Sequence, residues 1–421
     1  MLFNKLKTYK SEFGRYLIFV SGKFVPGIVS LILIPIISKK YGEDVYGVYS
    51  TVYSSFLILI TFSSGWLTQG VIMFFSSITN KSAFELSIIF KSFILTILVI
   101  PLLYLICDFF GLGSFVLFLL ILTMFFCLMF TVQSSILQSK EKVMNLALAD
   151  TFRSLIYFMV IMVFIFYTEN RSYNSLFFAL LVSFIIGYLF TIKFEVFSFT
   201  KKIFSNKILI FSKDDFKIWK FGWPLTLWLV FAGLLNISDR YMISYFLELE
   251  DLSLYSIVYD FIYKIYVFLF SPVIMVIYPI IVKLHLSNKI TKLLKLWKTS
   301  MFFELIVYLI SLLFIYCFRD QIFLDILGLS NIQECYKLIL PISLGSFLWQ
   351  VSIIAHKLLE IKQMTKKMLK FVLFALVFNI IINLIFIPMF GVLASAYSTM
   401  FSSLLYLALV YFETKKQFIN R

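Results

Sequence analysis

The sequence predicts an all-α, polytopic membrane protein of about twelve spanning helices, and three observations carry that reading. Of its 421 residues, 61% are hydrophobic and only 14% charged, too little charge to face water over a soluble surface. Apolar runs of about 20 residues, the length that crosses the hydrocarbon core as a helix, recur from end to end. Between them the basic residues concentrate in alternate loops, the arrangement that orients a chain in a membrane. The net charge of +15 would suggest nucleic acid in a soluble protein. Its placement in short loops points to orientation instead, and no nucleic-acid partner is expected.

Taken in order, spans are expected near about 13–38, 46–75, 84–107, 114–138, 146–167 and 174–197, then near 219–247, 252–283, 298–318, 336–359, 367–387 and 391–412. The basic start, followed by an apolar run of over 20 residues without a small-residue cleavage site, reads as a retained first span. With the N-terminus in the cytoplasm, about 25 Lys and Arg fall on the cytoplasmic side, about 4 outside and roughly 8 within spans. Lys201, Lys202, Lys207, Lys213 and Lys217 lie in the central loop, while Glu43, Asp44, Glu248, Glu250, Asp251, Asp320 and Asp325 lie in outer loops. An even number of spans then leaves both termini inside.

The chain also reads as two halves. EDVYGVYSTVY begins at Glu43 and EDLSLYSIVY at Glu250. Aligning Tyr49-Ser50 with Tyr255-Ser256 sets an offset close to half the chain, each copy at the first outer hairpin of its half. Three segments are expected: 1–200, a basic cytoplasmic linker 201–218, and 219–421, with six spans on each side of the linker.

Charges within spans are the candidates for function, because each costs about 2.5–3.5 kcal/mol on insertion scales unless it has a partner or a hydrated cavity. Lys23 lies near mid-depth of the first span, in SGKFVPG, with Gly22, Pro26 and Gly27 around it. It either snorkels or faces a cavity; at about 15 Å from the cytoplasmic end of the span the cavity is favoured, and with it an anion site. Asp239 and Arg240 lie in the outer third of the seventh span, and Asp260 and Lys264 sit at i,i+4 on the eighth. The short loop between these helices brings Arg240 and Asp260 to similar depth. They form an ion pair that holds the hairpin, or Arg240 or Lys264 meets an anionic group in a cavity; both readings stand. Arg15, Lys91 and Arg153 lie nearer the cytoplasmic ends of their spans, where they either contact lipid phosphates or mark the interface; the interface is favoured. Glu304 is expected near the cytoplasmic end of the ninth span.

Two histidines and four cysteines without ligand spacing offer no metal site and no disulfide framework. No nucleophile elbow, HExxH, Walker or EF-hand pattern occurs. No enzyme activity and no cofactor is expected.

The segments SGKFVPGIVSLILIPIISKKYGEDVYGVYS and SDRYMISYFLELEDLSLYSIVYDF resemble the first helix and outer loop, and the seventh and eighth helices, of bacterial polysaccharide flippases. These are the O-antigen and capsule repeat-unit translocases of the multidrug/oligosaccharidyl-lipid/polysaccharide (MOP) exporter superfamily. The resemblance implies a MATE-like fold of two six-helix bundles in the bacterial inner membrane. It implies as substrate an undecaprenyl-diphosphate-linked oligosaccharide, moved between leaflets by alternating access. It further implies a substrate-binding role for Lys23 and, as second choice, for Arg240; Lys264, Asp239, Asp260 and Arg153, read from their positions within spans, are the remaining candidates for the substrate site. Membrane lipid, a coupling ion (proton or sodium) and other polysaccharide-assembly proteins would be the remaining partners. The rivals are a multidrug exporter of the same superfamily, which would favour acidic cavity residues, and a membrane-embedded polysaccharide polymerase or ligase, which would carry a larger outer loop.

Overall fold

A computed structural model describes residues 22, 24–78, 81–168, 171–193 and 213–418. Among them are twelve helices long and apolar enough to cross a membrane and no strand. They are α1 (Phe24–Tyr41), α2 (Glu43–Phe74), α3 (Lys81–Phe109), α4 (Ser114–Ser139), α5 (Val143–Tyr167), α6 (Tyr173–Lys193), α7 (Lys213–Phe246), α8 (Leu249–Leu286), α9 (Ile290–Cys317), α10 (Ile332–Ile361), α11 (Thr365–Phe390) and α12 (Val392–Phe418). The connections are short. Only Gly42 separates α1 from α2, and its φ of 99° is one that residues with a Cβ rarely adopt. Several helices exceed the hydrocarbon thickness, so they tilt or protrude.

The duplication inferred from sequence is visible in the element order. α2 begins at Glu43 and α8 at Leu249, in register with the repeated motif, and four further helices follow each. Acidic residues occupy the first turn of both, Glu43 and Asp44 in α2 and Glu250 and Asp251 in α8, where they complement the helix dipole. Packing repeats as well. In the first half α4 packs on α6, α5 on α6 and α3 on α4; in the second α10 packs on α12, α11 on α12 and α9 on α10.

By contacts the chain divides into two units, 1–30 with 52–230 and 31–51 with 231–421. The expected linker 201–218 lies mostly outside the described residues. The first unit is built around α3–α6. Its second core comes from α2, α3, α4 and α7, with Trp66, Leu67, Val71, Phe75, Phe84, Ile88, Val132, Ile136 and Ile218 in one cluster. α2 and α7 approach closely there: a Cβ on Gly222 would lie 2.2 Å from the Trp66 carbonyl oxygen. Lys91 is a correction to the sequence reading. It is buried rather than interfacial, with Nζ 2.6 Å from Asp215 Oδ1, 2.9 Å from Ser87 Oγ and 4.5 Å from the Phe84 ring centroid.

The second unit is built around α10, the most buried of the spans. α12 packs on it and carries a run of buried small residues (Ala394, Ser395, Ala396, Ser398, Ser402 and Ser403), the close-packing chemistry favoured between helices in lipid. Ser38 donates to the Leu327 carbonyl at 3.1 Å, and Glu43 accepts from the Ser330 amide at 3.3 Å, so two loops assigned to the outer face meet. At the opposite end Lys362 donates to the Gln417 carbonyl and Lys367 to Glu413, both at 2.6 Å. The cysteines among the described residues are free, three of them buried.

Because the obstacle at Gly222 is main chain, it cannot rotate away. Gly222→Val is expected to destabilise the protein by about 1–3 kcal/mol, the range of overpacked cores. A lowered thermal unfolding midpoint of the detergent-solubilised protein, with Gly113→Val (no atom within 4 Å of its Cβ position) as control, checks it.

Candidate functional site

The second unit collects most of the charges that the sequence singled out. On α7, Asn236, Asp239 and Arg240 fall within about one turn and face α8. On α8, Tyr255, Tyr259 and Asp260 answer them, and Tyr46 and Ser50 from the start of α2 close the group. Arg240 Nη2 is 2.5 Å from Asp260 Oδ1, and Nη1 donates to Ser50 Oγ at 3.1 Å. The other carboxylate oxygen of Asp260 accepts from the Tyr46 hydroxyl at 2.8 Å. The Tyr259 ring lies 5.3 Å from the guanidinium, and its hydroxyl donates to Asn236 at 3.0 Å.

Asp239 faces a second set of donors. Tyr255 and Thr399 hydroxyls donate to Oδ2, the latter at 3.3 Å, and the Arg240 amide donates to Oδ1 at 2.9 Å. Around Thr399 the network continues through Asn379, which accepts from Ser238 and Asn383, each at 3.0 Å, and donates to Ser398 at 3.1 Å. Asp239 is wholly buried and Arg240 is 1% exposed. Lys264, one turn beyond Asp260, acts on it electrostatically. Two cations and two carboxylates thus share one buried neighbourhood, with no formal excess of either sign. Of the two readings left open by sequence, this arrangement contains the ion pair in full: α7, α8 and the beginning of α2 are tied through it.

The repeat motif supplies the partners. Tyr255 and Tyr259 belong to its second copy, Tyr46 and Ser50 to its first. The equivalent serine and glycine also meet: Gly47 on α2 faces Ser253 on α8, where a Cβ would sit 2.7 Å from the Ser253 Cα. Sequence analysis used the motif only to find the duplication. Its hydroxyls, spaced to lie on one helical face, were the signal for the charge cluster.

The other candidates are elsewhere. Arg153 belongs to the first unit, its guanidinium 4.8 Å from the Phe184 ring and 5.6 Å from Phe130. Gly187 makes room for its stem, at 3.0 Å from Cγ to a Cβ built there. No carboxylate pairs with Arg153 among the described residues, and its Nε has no hydrogen-bond partner there. Lys23 and Arg15 lie outside the described residues. Gly22, beside Lys23, lies close against α5: a Cβ there would fall 2.2 Å from that of Ala147. α9 extends from Ile290 to Cys317, which sets Glu304 midway along the helix and six residues beyond Lys298. No group of three or more metal-ligating side chains occurs among the described residues.

These features coincide with a known class. A sequence profile for the family described as "Polysaccharide biosynthesis protein" matches residues 16–285. The chain belongs to that family. Its fold is that of the MOP superfamily transporters. Superposition on the lipid II flippase MurJ in an inward closed conformation gives a TM-score of 0.74 at 18% identity, over 95% of this chain and 87% of MurJ. A MATE family multidrug resistance transporter in an inward-facing conformation gives 0.69 at 13% identity, over 95% and 94%. A MOP superfamily transporter from Pyrococcus furiosus, described as having a binding pocket of reverse polarity, gives 0.67 at 14% identity, over 96% and 94%. No curated protein sequence matches the chain significantly. The protein is therefore a multi-pass membrane protein of the polysaccharide biosynthesis family with a MATE-like fold.

Breaking the buried pair from one side strands a charge. Asp260→Ala is expected to cost about 3–5 kcal/mol, whereas Arg240→Met combined with Asp260→Leu should cost markedly less, because neither charge remains. A double-mutant cycle on denaturant unfolding in micelles measures the difference. A double variant whose loss equals the sum of the two single losses would show that the pair contributes nothing specific.

Proposed function

We propose that the protein is a flippase that moves an undecaprenyl-diphosphate-linked oligosaccharide repeat unit from the cytoplasmic to the outer leaflet of the bacterial inner membrane by alternating access. The observation that carries this reading is the polysaccharide-biosynthesis family match over 16–285 on a chain with the MOP transporter fold. A protein serving polysaccharide assembly on a transporter scaffold has a task that needs no bond chemistry: passing a glycan across the membrane before or after enzymes act on it. The enzyme rival is disfavoured by length of loop. The longest outer connection, between α9 and α10, covers only 318–331, short for a catalytic domain.

The substrate combines an anionic diphosphate, a polar glycan and a polyprenyl tail. The diphosphate would be met by Lys23 and Arg153, cations that the sequence places in the first half. Arg153 supports this role because it faces aromatic rings and has no carboxylate partner among the described residues. Arg240, already bound to Asp260, is better suited to holding the α7–α8 hairpin and would reach substrate only if that pair opens; Lys264 and Asp239 share its neighbourhood. Both termini are placed in the cytoplasm by the distribution of basic loops. A net charge carried across the membrane is driven or opposed by about 2.3 kcal/mol per 100 mV. A coupling ion, proton or sodium, and other polysaccharide-assembly proteins complete the proposed set of partners.

The test follows lipid-linked sugars in a strain lacking the gene, complemented with wild type, Lys23→Ala or Arg153→Ala. Single repeat units are expected to remain on the cytoplasmic leaflet in the deletion strain, with loss of surface polysaccharide. Each variant should restore surface polysaccharide about tenfold or more below wild type, the loss of one charge-assisted hydrogen bond of about 1.5–3 kcal/mol. Single units that reach the outer face without being polymerised would replace the flippase by a membrane polymerase or ligase. Unchanged glycan with sensitivity to toxic cations would indicate the multidrug exporter.

A further inference from the structure

α9 is built inside out. From Trp297 to Tyr308 its buried residues are Trp297, Ser300, Glu304 and Tyr308, spaced three, four and four apart, one face of a helix. Its apolar side chains point the other way: Phe302, Phe303, Leu309, Ile310 and Leu313 are all at least half exposed, as lipid-facing residues are. A membrane helix that turns its polar stripe to the protein interior lines a polar interior path or holds partners. Partners are missing at its centre. Glu304 is wholly buried, and neither carboxyl oxygen has a hydrogen-bond partner among the described residues. The Trp297 indole nitrogen and the Thr414 hydroxyl, buried too, are likewise without partners there. Thr414 is three residues beyond Tyr411, whose ring stacks on Trp297 at 5.8 Å.

Among the described residues the surroundings supply no countercharge. α9 packs on α8 and α10 and meets α12 through that stack. From α8 come Lys264, which acts on Asp260, and Tyr266, which accepts from Ser311 at 3.4 Å; Lys283 and His285 lie in its last turn. From α10 come His356, 3.2 Å from the Tyr406 hydroxyl of α12, and the Lys357–Glu360 pair at 2.6 Å. From α12 come Tyr411 and Glu413, the latter paired with Lys367 at 2.6 Å. None of these charges acts on Glu304; burial alone does.

A bare carboxylate in such a place is among the most costly arrangements a membrane protein can hold, and a carboxylic acid is not. We propose that Glu304 is a proton-binding site within the second unit, loaded in the conformation described here and emptied when movement of α9 brings water to the stripe. The proton would come from water on one face of the membrane and return to water on the other, with no other reactant needed. The stripe provides hydroxyl and indole groups on both sides of Glu304, Ser300 and Trp297 toward one end of the helix and Tyr308 and Ser311 toward the other. Coupling of this proton to transport rests on the flippase reading; the site itself does not.

Infrared difference spectroscopy of the full-length protein in lipid vesicles, titrated with pH, tests the site without any transport measurement. A protonated-carboxyl stretching band is expected in wild type, shifting in heavy water and absent from Glu304→Gln, a variant that preserves the shape of the neutral acid. Hydrogen exchange of α9 in wild type should quicken over the same pH interval in which the band disappears. Should Glu304→Gln fail to fold, Glu304→Asp gives the assignment by moving the band in frequency. A wild-type protein without the band at any pH, a band that persists in Glu304→Gln, or one unmoved by Glu304→Asp would overturn the proposal. A proton site confirmed in a protein that moves no lipid-linked sugar would leave this inference standing and the flippase reading refuted.

Discussion

The pair between Arg240 and Asp260 constrains the second unit more than any other contact, because neither charge can be left alone in a low-dielectric interior. Arg240 brings α7 against α8; Tyr46 and Ser50, the hydroxyls that fill the remaining hydrogen-bonding positions, bring the beginning of α2 to the same point. Once Asp260 is fixed, Asp239 on the opposite side of the same turn needs donors of its own, and these come from Tyr255 on α8 and Thr399 on α12. Four helices are thereby placed in register by electrostatic need. Apolar side chains could not have done so: in lipid, burying them gains little, and selectivity falls to polar groups and close small-residue contacts.

The fold was legible in the sequence because the membrane leaves few choices. A chain that must satisfy every backbone polar group without water has only helices and closed barrels available, and apolar runs of about 20 residues select the helix, so length and hydropathy located the twelve spans, with ends displaced by up to about eight residues. The duplication was legible from a single motif, which the starts of α2 and α8 match. Equal depth of Arg240 and Asp260 followed from the shortness of the α7–α8 turn, where residues equidistant from a tight hairpin must be neighbours. What escaped was any feature that depends on which way a residue faces across elements distant in sequence. Lys91 meets Asp215 from 124 positions away, and nothing near Lys91 announces it. The lysine-bearing first turns of α9, expected as loop, are helical, so the helix begins about eight residues before the expected span. The stripe of Trp297, Ser300, Glu304 and Tyr308 was present in the sequence. Hydropathy averaging hides such a stripe, since its neighbours are uniformly apolar.

The candidate site was legible only in part, for the same reason. Sequence could pick out cations that hydrocarbon does not tolerate, but not which of them are already neutralised. Arg153 and Arg240 look alike as letters within apolar runs. In the structure one lies against phenyl rings without a carboxylate partner among the described residues, and the other is held by Asp260 and Ser50. That difference separates a cation without a carboxylate partner among the described residues from one engaged in holding helices together.

The same distinction applies to the carboxylates and decides which of them can exchange a proton at small energetic cost. Adding a proton to Asp260 would leave the Arg240 guanidinium buried and unopposed, a penalty set by the full desolvation of a charge. Asp239 accepts three hydrogen bonds as an anion, and a proton there would compete with at least one of them. Glu304 has no such ties among the described residues. Its neutral form loses no partner, and its charged form needs only water, which a shift of a single helix can admit or exclude. A carboxyl poised in that way converts a change in hydration into a change in charge. The paired cluster on α7 and α8 resists any such change, so rigidity and responsiveness in this unit are assigned to different acids by whether each one has a partner.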